Sequence, residues 1–214
     1  MKKVLMVMFL LSAVSCSCFA FGLLTTGTTV GQEKWEVQAQ YSTTGFTQLN
    51  TNGSFGGLGA KATYGYTKDL DLYAEIWTGS YVVSDLDVSD ATNSLGVGVK
   101  YGFLKVADND PFDLAGFIDV ASITSNNLTW GVNTVGVSAS KMVRPQLTVY
   151  GIAAAMMNSW KVKGTKSVSE TDTNFGVGVK YDIKTNLAVL AELDRFWVDT
   201  NQFQTISVAA QWSL

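Results

Sequence analysis

The chain of 214 residues has no histidine, two cysteines, two prolines and only 15% charged residues. Each shortage excludes something. Without histidine there is no Ser-His-Asp triad, no Cys-His pair and no histidine-ligated zinc. Both cysteines, Cys16 and Cys18, lie within the first twenty residues. A chain processed beyond them has neither disulfide nor thiol chemistry. Soluble domains carry about 25% charged residues, so this surface is short of charge. After residue 20 no apolar run reaches the length of a membrane-crossing helix. A net charge of −3 argues against an electrostatic nucleic-acid binder. No motif implies a cofactor.

The first residues read as an address. Lys2 and Lys3 form a positive segment, Val4 to Ala13 an apolar one, and Ser15 to Ala20 a small-residue one ending Cys18-Phe19-Ala20. The pattern predicts a signal peptide over 1–20, cleaved after Ala20. A lipid-acylated Cys16 is the competing reading. It lacks the bulky aliphatic residue expected at Ala13. Residues 21–34 show little alternation and form a separate N-terminal segment, either a periplasmic tail or an ordered plug. The remainder, 35–214, is one domain.

From Trp35 onward the apolar residues recur at every second position, the period of a strand. Leu95, Val97, Val99 and Tyr101 alternate with Gly96, Gly98 and Lys100; Phe175, Val177, Val179 and Tyr181 alternate with Gly176, Gly178 and Lys180. Gly-Val-Gly-Val-Lys-Tyr occurs twice, at 96–101 and 176–181. Ten strands are predicted, at about 35–43, 57–66, 70–83, 93–104, 111–124, 128–140, 146–160, 173–182, 186–199 and 203–214. In 128–140 and 146–160 the alternation changes phase, as a β-bulge would cause. Short links alternate with longer polar ones at 44–56, 84–92 and 161–172.

The two faces differ. Trp35, Tyr64, Tyr66, Tyr101, Phe103, Phe112, Tyr181 and Trp212 fall at the short-turn ends of their strands on the apolar face, the pattern of a membrane-interface girdle. The opposite face carries Glu36, Lys61, Glu75, Lys100, Asp113, Asp119, Lys180 and Glu192. Counting from the turn at Lys68 sets Lys61 opposite Glu75. Lys180 falls diagonal to Glu192. The fold class is therefore all-β: a closed antiparallel up-and-down transmembrane β-barrel of about ten strands, with eight as the alternative. Its lumen would be polar and ion-paired.

The Gly-Val-Gly-Val-Lys-Tyr unit, its short turn and Asn186 to Leu193 resemble the last hairpins of small bacterial outer-membrane barrels. These are the opacity-type porin-like proteins and the membrane domain of outer-membrane protein A. Ile206, Val208, Ala210, Trp212 and Leu214 resemble the terminal strand read by the barrel-assembly machinery, with Leu in place of the usual Phe. The resemblance implies a bacterial outer-membrane location, with outer-membrane lipid and that machinery as partners, and an even strand count would keep both termini in the periplasm.

The reading is of a non-enzymatic barrel of structural or surface-interaction type, with polar extracellular loops meeting an extracellular ligand. The alternative is a narrow porin or small-molecule channel, its free volume left by Gly96, Gly98, Ser138, Gly176, Gly178 and Ser207. A soluble secreted barrel binding an apolar ligand is the third reading. Two carboxylate pairs, Glu192/Asp194 and Asp113/Asp119, are read as lumen charges and not as a hydrolase pair. Asp85, Asp87 and Asp90, with Glu170 and Asp172, are read as solvated loop acids and not as a calcium site. No metal is predicted.

Overall fold

A computed structural model describes residues 23–48, 51–83, 88–126, 128–163, 166–198 and 201–214. The strands are β1 (Trp35–Gln48), β2 (Thr51–Gly65), β3 (Leu70–Val83), β4 (Val88–Leu104), β5 (Asp113–Thr124), β6 (Leu128–Arg144), β7 (Leu147–Val162), β8 (Val168–Lys184), β9 (Leu187–Val198) and β10 (Asn201–Ser213). Each pairs antiparallel with the next, and β1 pairs with β10. The ring closes at ten strands, not eight. Closure leaves no open edge, so each strand finds a ladder partner on both sides. A single turn of 3-10 helix, Val106–Asp108, sits in the β4–β5 link.

Two rims result. One holds the tight connections, including Arg144 to Leu147 and Lys184 to Leu187, together with the start of β1 and the end of β10. The expected long links lie at the other rim and are mostly strand. Residues 44–48 belong to β1, 51–56 to β2, 88–92 to β4 and 168–172 to β8. Their Gly, Ser, Thr and Asn content resembles a turn composition. Ladder hydrogen bonds use the backbone, however, and in a closed ring side-chain polarity does not stop them.

No register shift falls within 128–140 or 146–160, where the alternation suggested a bulge. The shifts cluster at the tight rim, between Gly102 and Leu104, Met142 and Arg144, and Asp182 and Lys184. The loss of phase has another cause. On β6 and β7 the inward face is in part apolar, with Trp130, Val132, Ile152, Ala154 and Met156 buried between Thr134, Ser138, Ser140 and Asn158. Over these stretches both faces carry hydrophobic residues, so polarity no longer marks the face.

The outward face is divided by height. Near the tight rim it is apolar: Leu95 to Phe103 on β4, Phe175 to Ile183 on β8 and Ile206 to Leu214 on β10 present exposed Leu, Val, Ile and aromatic side chains. Above this band the outward positions turn polar, with Thr43, Thr78, Asn93, Ser122, Asn133, Thr173, Arg195 and Gln204. A span of about nine residues at barrel tilt makes a belt roughly 25 Å tall, the thickness a membrane barrel needs. The strands continue past it as a crown. Inside the crown the packing is largely apolar, with Phe55, Trp77, Tyr81, Ile123, Trp130 and Met156 almost fully buried. A hydroxyl seam between β1 and β10 completes it: Ser42 Oγ meets Ser207 Oγ at 2.6 Å and Thr44 Oγ1 meets Thr205 Oγ1 at 2.7 Å.

Candidate functional site

The N-terminal segment decides the character of the lumen. Residues 23–30 run inside the barrel as an ordered plug. Leu24 is 1% exposed and packs with Phe117, Tyr150, Ile152, Leu190 and Ala209. The Leu24 amide donates to Glu192 Oε1 at 2.9 Å. The Leu23 carbonyl accepts from Lys61 Nζ at 3.3 Å, and the Thr28 carbonyl from Lys100 Nζ at 2.7 Å. Ser138 Oγ donates to the Thr26 carbonyl at 3.0 Å, and the Val30 amide donates to both oxygens of Asp71. The barrel wall thus supplies the partners that an extended, unpaired strand of chain needs when buried. The cavity left beside the plug is about 10 Å³, the space of a single water.

Leu24 fills an apolar pocket in an otherwise polar plug. Leu24→Ala should lower stability by about 2–5 kcal/mol, as large-to-small core changes do. Urea unfolding of the refolded protein in detergent reads this. A change of a few tenths of a kcal/mol would mean that the plug is not docked.

The structure places the candidate charges as follows. Lys61 is in register with Glu75. Its ammonium, however, turns to the Leu23 carbonyl and lies 4.5 Å from the centre of the Tyr73 ring. Among the described residues it makes no ion pair within 4.0 Å. Lys100 pairs with Asp71, Nζ to Oδ2 at 3.3 Å, and both are buried. Lys180 is diagonal to Glu192 in register but pairs instead with Asp182 at 3.7 Å. Glu36 accepts from Gln211 Nε2 at 2.5 Å. Asp113 lies at the tight rim, where the Thr28 hydroxyl and the Val106 amide reach it. Asp119, Glu75 and Glu192 face the lumen. The expected run of Lys–carboxylate pairs is therefore one close buried pair, and the other two lysines are drawn off by the plug and by Asp182. At the same rim Lys105 Nζ lies 2.7 Å from Asp69 Oδ1, and this hydrogen bond holds the Asp69 carboxyl below the usual carboxylate range.

The repeated hexapeptide is a packing device. A Cβ on Gly98 would collide with the Tyr73 ring, and one on Gly178 with the Tyr150 ring. Each glycine lets a tyrosine from a neighbouring strand lie flat on the wall. The small lumen residues thus do not leave free volume. Gly98 and Gly178 are covered by tyrosines, Gly96 by Glu75 and Gly176 by Asp194, while Ser138 and Ser207 are engaged in hydrogen bonds. Asp71, Tyr73, Tyr150 and the plug are absent from the charge set read from sequence. Strand parity places Asp71 and Tyr73 beside Glu75. Nothing in Leu23 to Val30 decides between the tail and the plug that the sequence leaves open, because a plug has no periodicity of its own.

Trp35, Tyr66, Tyr101, Phe103, Tyr181 and Trp212 are exposed on the outer wall near the tight rim, with Tyr64 half-buried beside Trp35 at 4.9 Å between ring centres. Tyr101 and Phe103 meet edge to face at 5.2 Å. Phe112 precedes β5 and is half-buried. Ile206, Val208, Ala210, Trp212 and Leu214 share the outward parity of the last strand. Asp90 accepts from Asn126, and Asp172 faces inward and accepts from Asn158 Nδ2. Asp85 and Asp87, and the signal segment 1–20, lie outside the described residues. Asp113 and Asp119 are separated along the strand, while Glu192 and Asp194 are adjacent inward neighbours on β9. Among the described residues no group of three or more metal-ligating acids is formed.

The fold is that of the outer-membrane β-barrels. No family model and no curated protein matches the chain. Solved structures do. The translocator domain of the autotransporter NalP from Neisseria meningitidis is similar over 85% of this chain and 88% of its own, with TM-score 0.52 and 12% identity. The beta domain of the Bordetella autotransporter BrkA is similar over 84% and 98%, with TM-score 0.52 and 10% identity. At these identities the likeness concerns the fold.

Proposed function

We propose that this chain is an integral protein of the bacterial outer membrane with a sealed lumen, serving as a structural and surface-interaction barrel. The observation that carries the reading is the outer wall, whose belt of exposed apolar side chains is bounded above by a polar crown. A soluble barrel has no reason to expose such a belt. The aromatic rim supports it, since amphipathic rings favour the boundary between hydrocarbon and water. The tight rim, where β1 begins and β10 ends, then faces the periplasm. The crown faces outward and meets an extracellular partner, while lipid surrounds the belt. The outward row from Ile206 to Leu214 is what the assembly machinery would read during insertion. We assign no catalysis: the chain lacks histidine, and the buried lumen carboxylates have no route by which a substrate reaches them.

The lumen charges hold the plug. Lys61, Lys100, Glu192 and Asp71 each bind its backbone. Plug below and aromatic packing above close the barrel, which disfavours the channel reading. The test is ion conductance of the refolded, signal-free protein in a planar bilayer. No discrete steps are expected from a protein that partitions into detergent and shows heat-modifiable migration. Reproducible steps abolished by denaturation would establish a through-pore. Partition into the aqueous phase without detergent would remove the membrane assignment.

A further inference from the structure

We infer that the lumen contains a binding site for one hard divalent cation, built by Glu192 and Asp194 of β9 with Asn174 of β8. Glu192 and Asp194 are two residues apart on one strand, so both side chains point inward, where they are 3% and 1% exposed. Two carboxylates held together away from water repel unless something positive lies between them. Glu192 Oε1 is satisfied by the Leu24 amide of the plug. Asp194 and Tyr150 interact with the Glu192 carboxyl, and Asn174 with that of Asp194, yet neither Glu192 Oε2 nor either oxygen of Asp194 has a partner in hydrogen-bonding geometry among the described residues.

A second feature points to a ligand. Asn174 is 1% exposed and lies beside Asp194, and its Oδ1 also has no hydrogen-bond partner. The phenol of Tyr150 lies beside Glu192, equally without one. Buried amides and phenols are normally satisfied. Here the atoms of these four neighbouring side chains left without a partner are all oxygens: carboxylate, amide carbonyl and phenol. Such a set suits a hard cation of irregular coordination, of the calcium class. Charge agrees. The charge of Lys61 acts on Glu192, and it is shared with Glu75 and Asp119. Gly176 belongs to the site, because a Cβ there would meet Asp194 Oδ1.

The chamber is closed by the plug below and by apolar packing above, so the ion enters during folding. The mature protein is therefore refolded in detergent with Ca²⁺ or with EDTA, gel-filtered, and its retained calcium is measured by mass spectrometry. About one Ca²⁺ per chain is expected after refolding with Ca²⁺, with a higher unfolding temperature than the EDTA sample. Asp194→Asn should lose the ion at least tenfold while remaining heat-modifiable. Asn174→Ala serves as a second variant should that one not fold, and should weaken retention. Asp90→Asn, in the crown, should retain calcium as wild type does.

Retention unchanged in a folded Asp194→Asn protein would overturn the site. So would wild type that retains no Ca²⁺ after refolding with it, all the more where Asp194→Asn is then more stable than wild type. That second result would assign a shared proton to the pair instead.

Discussion

Val179→Arg lowers the stability of the refolded barrel in lipid by about 2–4 kcal/mol, whereas Thr171→Arg on the same strand changes it by less than about 1 kcal/mol. Both positions face outward on β8. Val179 is at the centre of the apolar run from Phe175 to Ile183, and Thr171 lies above it in the crown. The same charge is therefore placed in hydrocarbon in one variant and in water in the other. Equilibrium unfolding in lipid vesicles measures the pair. Equal effects at the two heights would remove the belt and with it the membrane placement. The comparison is internal, so a general penalty for arginine on a strand cancels.

Gly178→Ala is expected to cost about 1–3 kcal/mol by overpacking. The added Cβ would lie 2.7 Å from Tyr150 Cε2 and closer still to the end of the ring. Tyr150 is 5% exposed and packs against the plug residue Leu24, so it has little room to retreat. The cost should vanish or reverse in a Tyr150→Ala background, since alanine is otherwise the better strand residue. A double-mutant cycle isolates this coupling. At Gly98 the outcome differs. There the Ile118 carbonyl, 2.7 Å from the added Cβ, obstructs it together with Tyr73. Backbone cannot be removed by mutation, so Tyr73→Ala should restore Gly98→Ala only in part. Identical behaviour at the two sites would mean that the repeat is compositional and not a packing device.

These two predictions rest on features of different legibility. The apolar face of Leu95 to Phe103 is evident from alternation alone, and so is the parity that turns Gly178 inward. That Tyr150 of β7 lies over Gly178 is not, because it depends on the register of β7 against β8, which the longer link between them leaves open. Register explains Lys61 as well. Counting from the turn at Lys68 places it opposite Glu75, as the ladder has it. Its ammonium nonetheless goes to the Leu23 carbonyl, a group no count along the hairpin includes.

Sequence by itself determined the alternation, the aromatic rim and the absence of histidine chemistry, and left the strand count at ten or eight. Local period-two patterning and tight-turn residues are properties of neighbours in the chain, and a sequence displays them directly. Only the tertiary structure decided that the ring closes at ten strands, that polar runs such as 88–92 continue as strand into a crown, and that Leu23 to Val30 is a plug. Each depends on what lies across the barrel. A segment without periodicity can be ordered by partners from several strands at once. Where apolar residues occupy both faces, as along parts of β6 and β7, the alternation is blurred until the ring has closed around them.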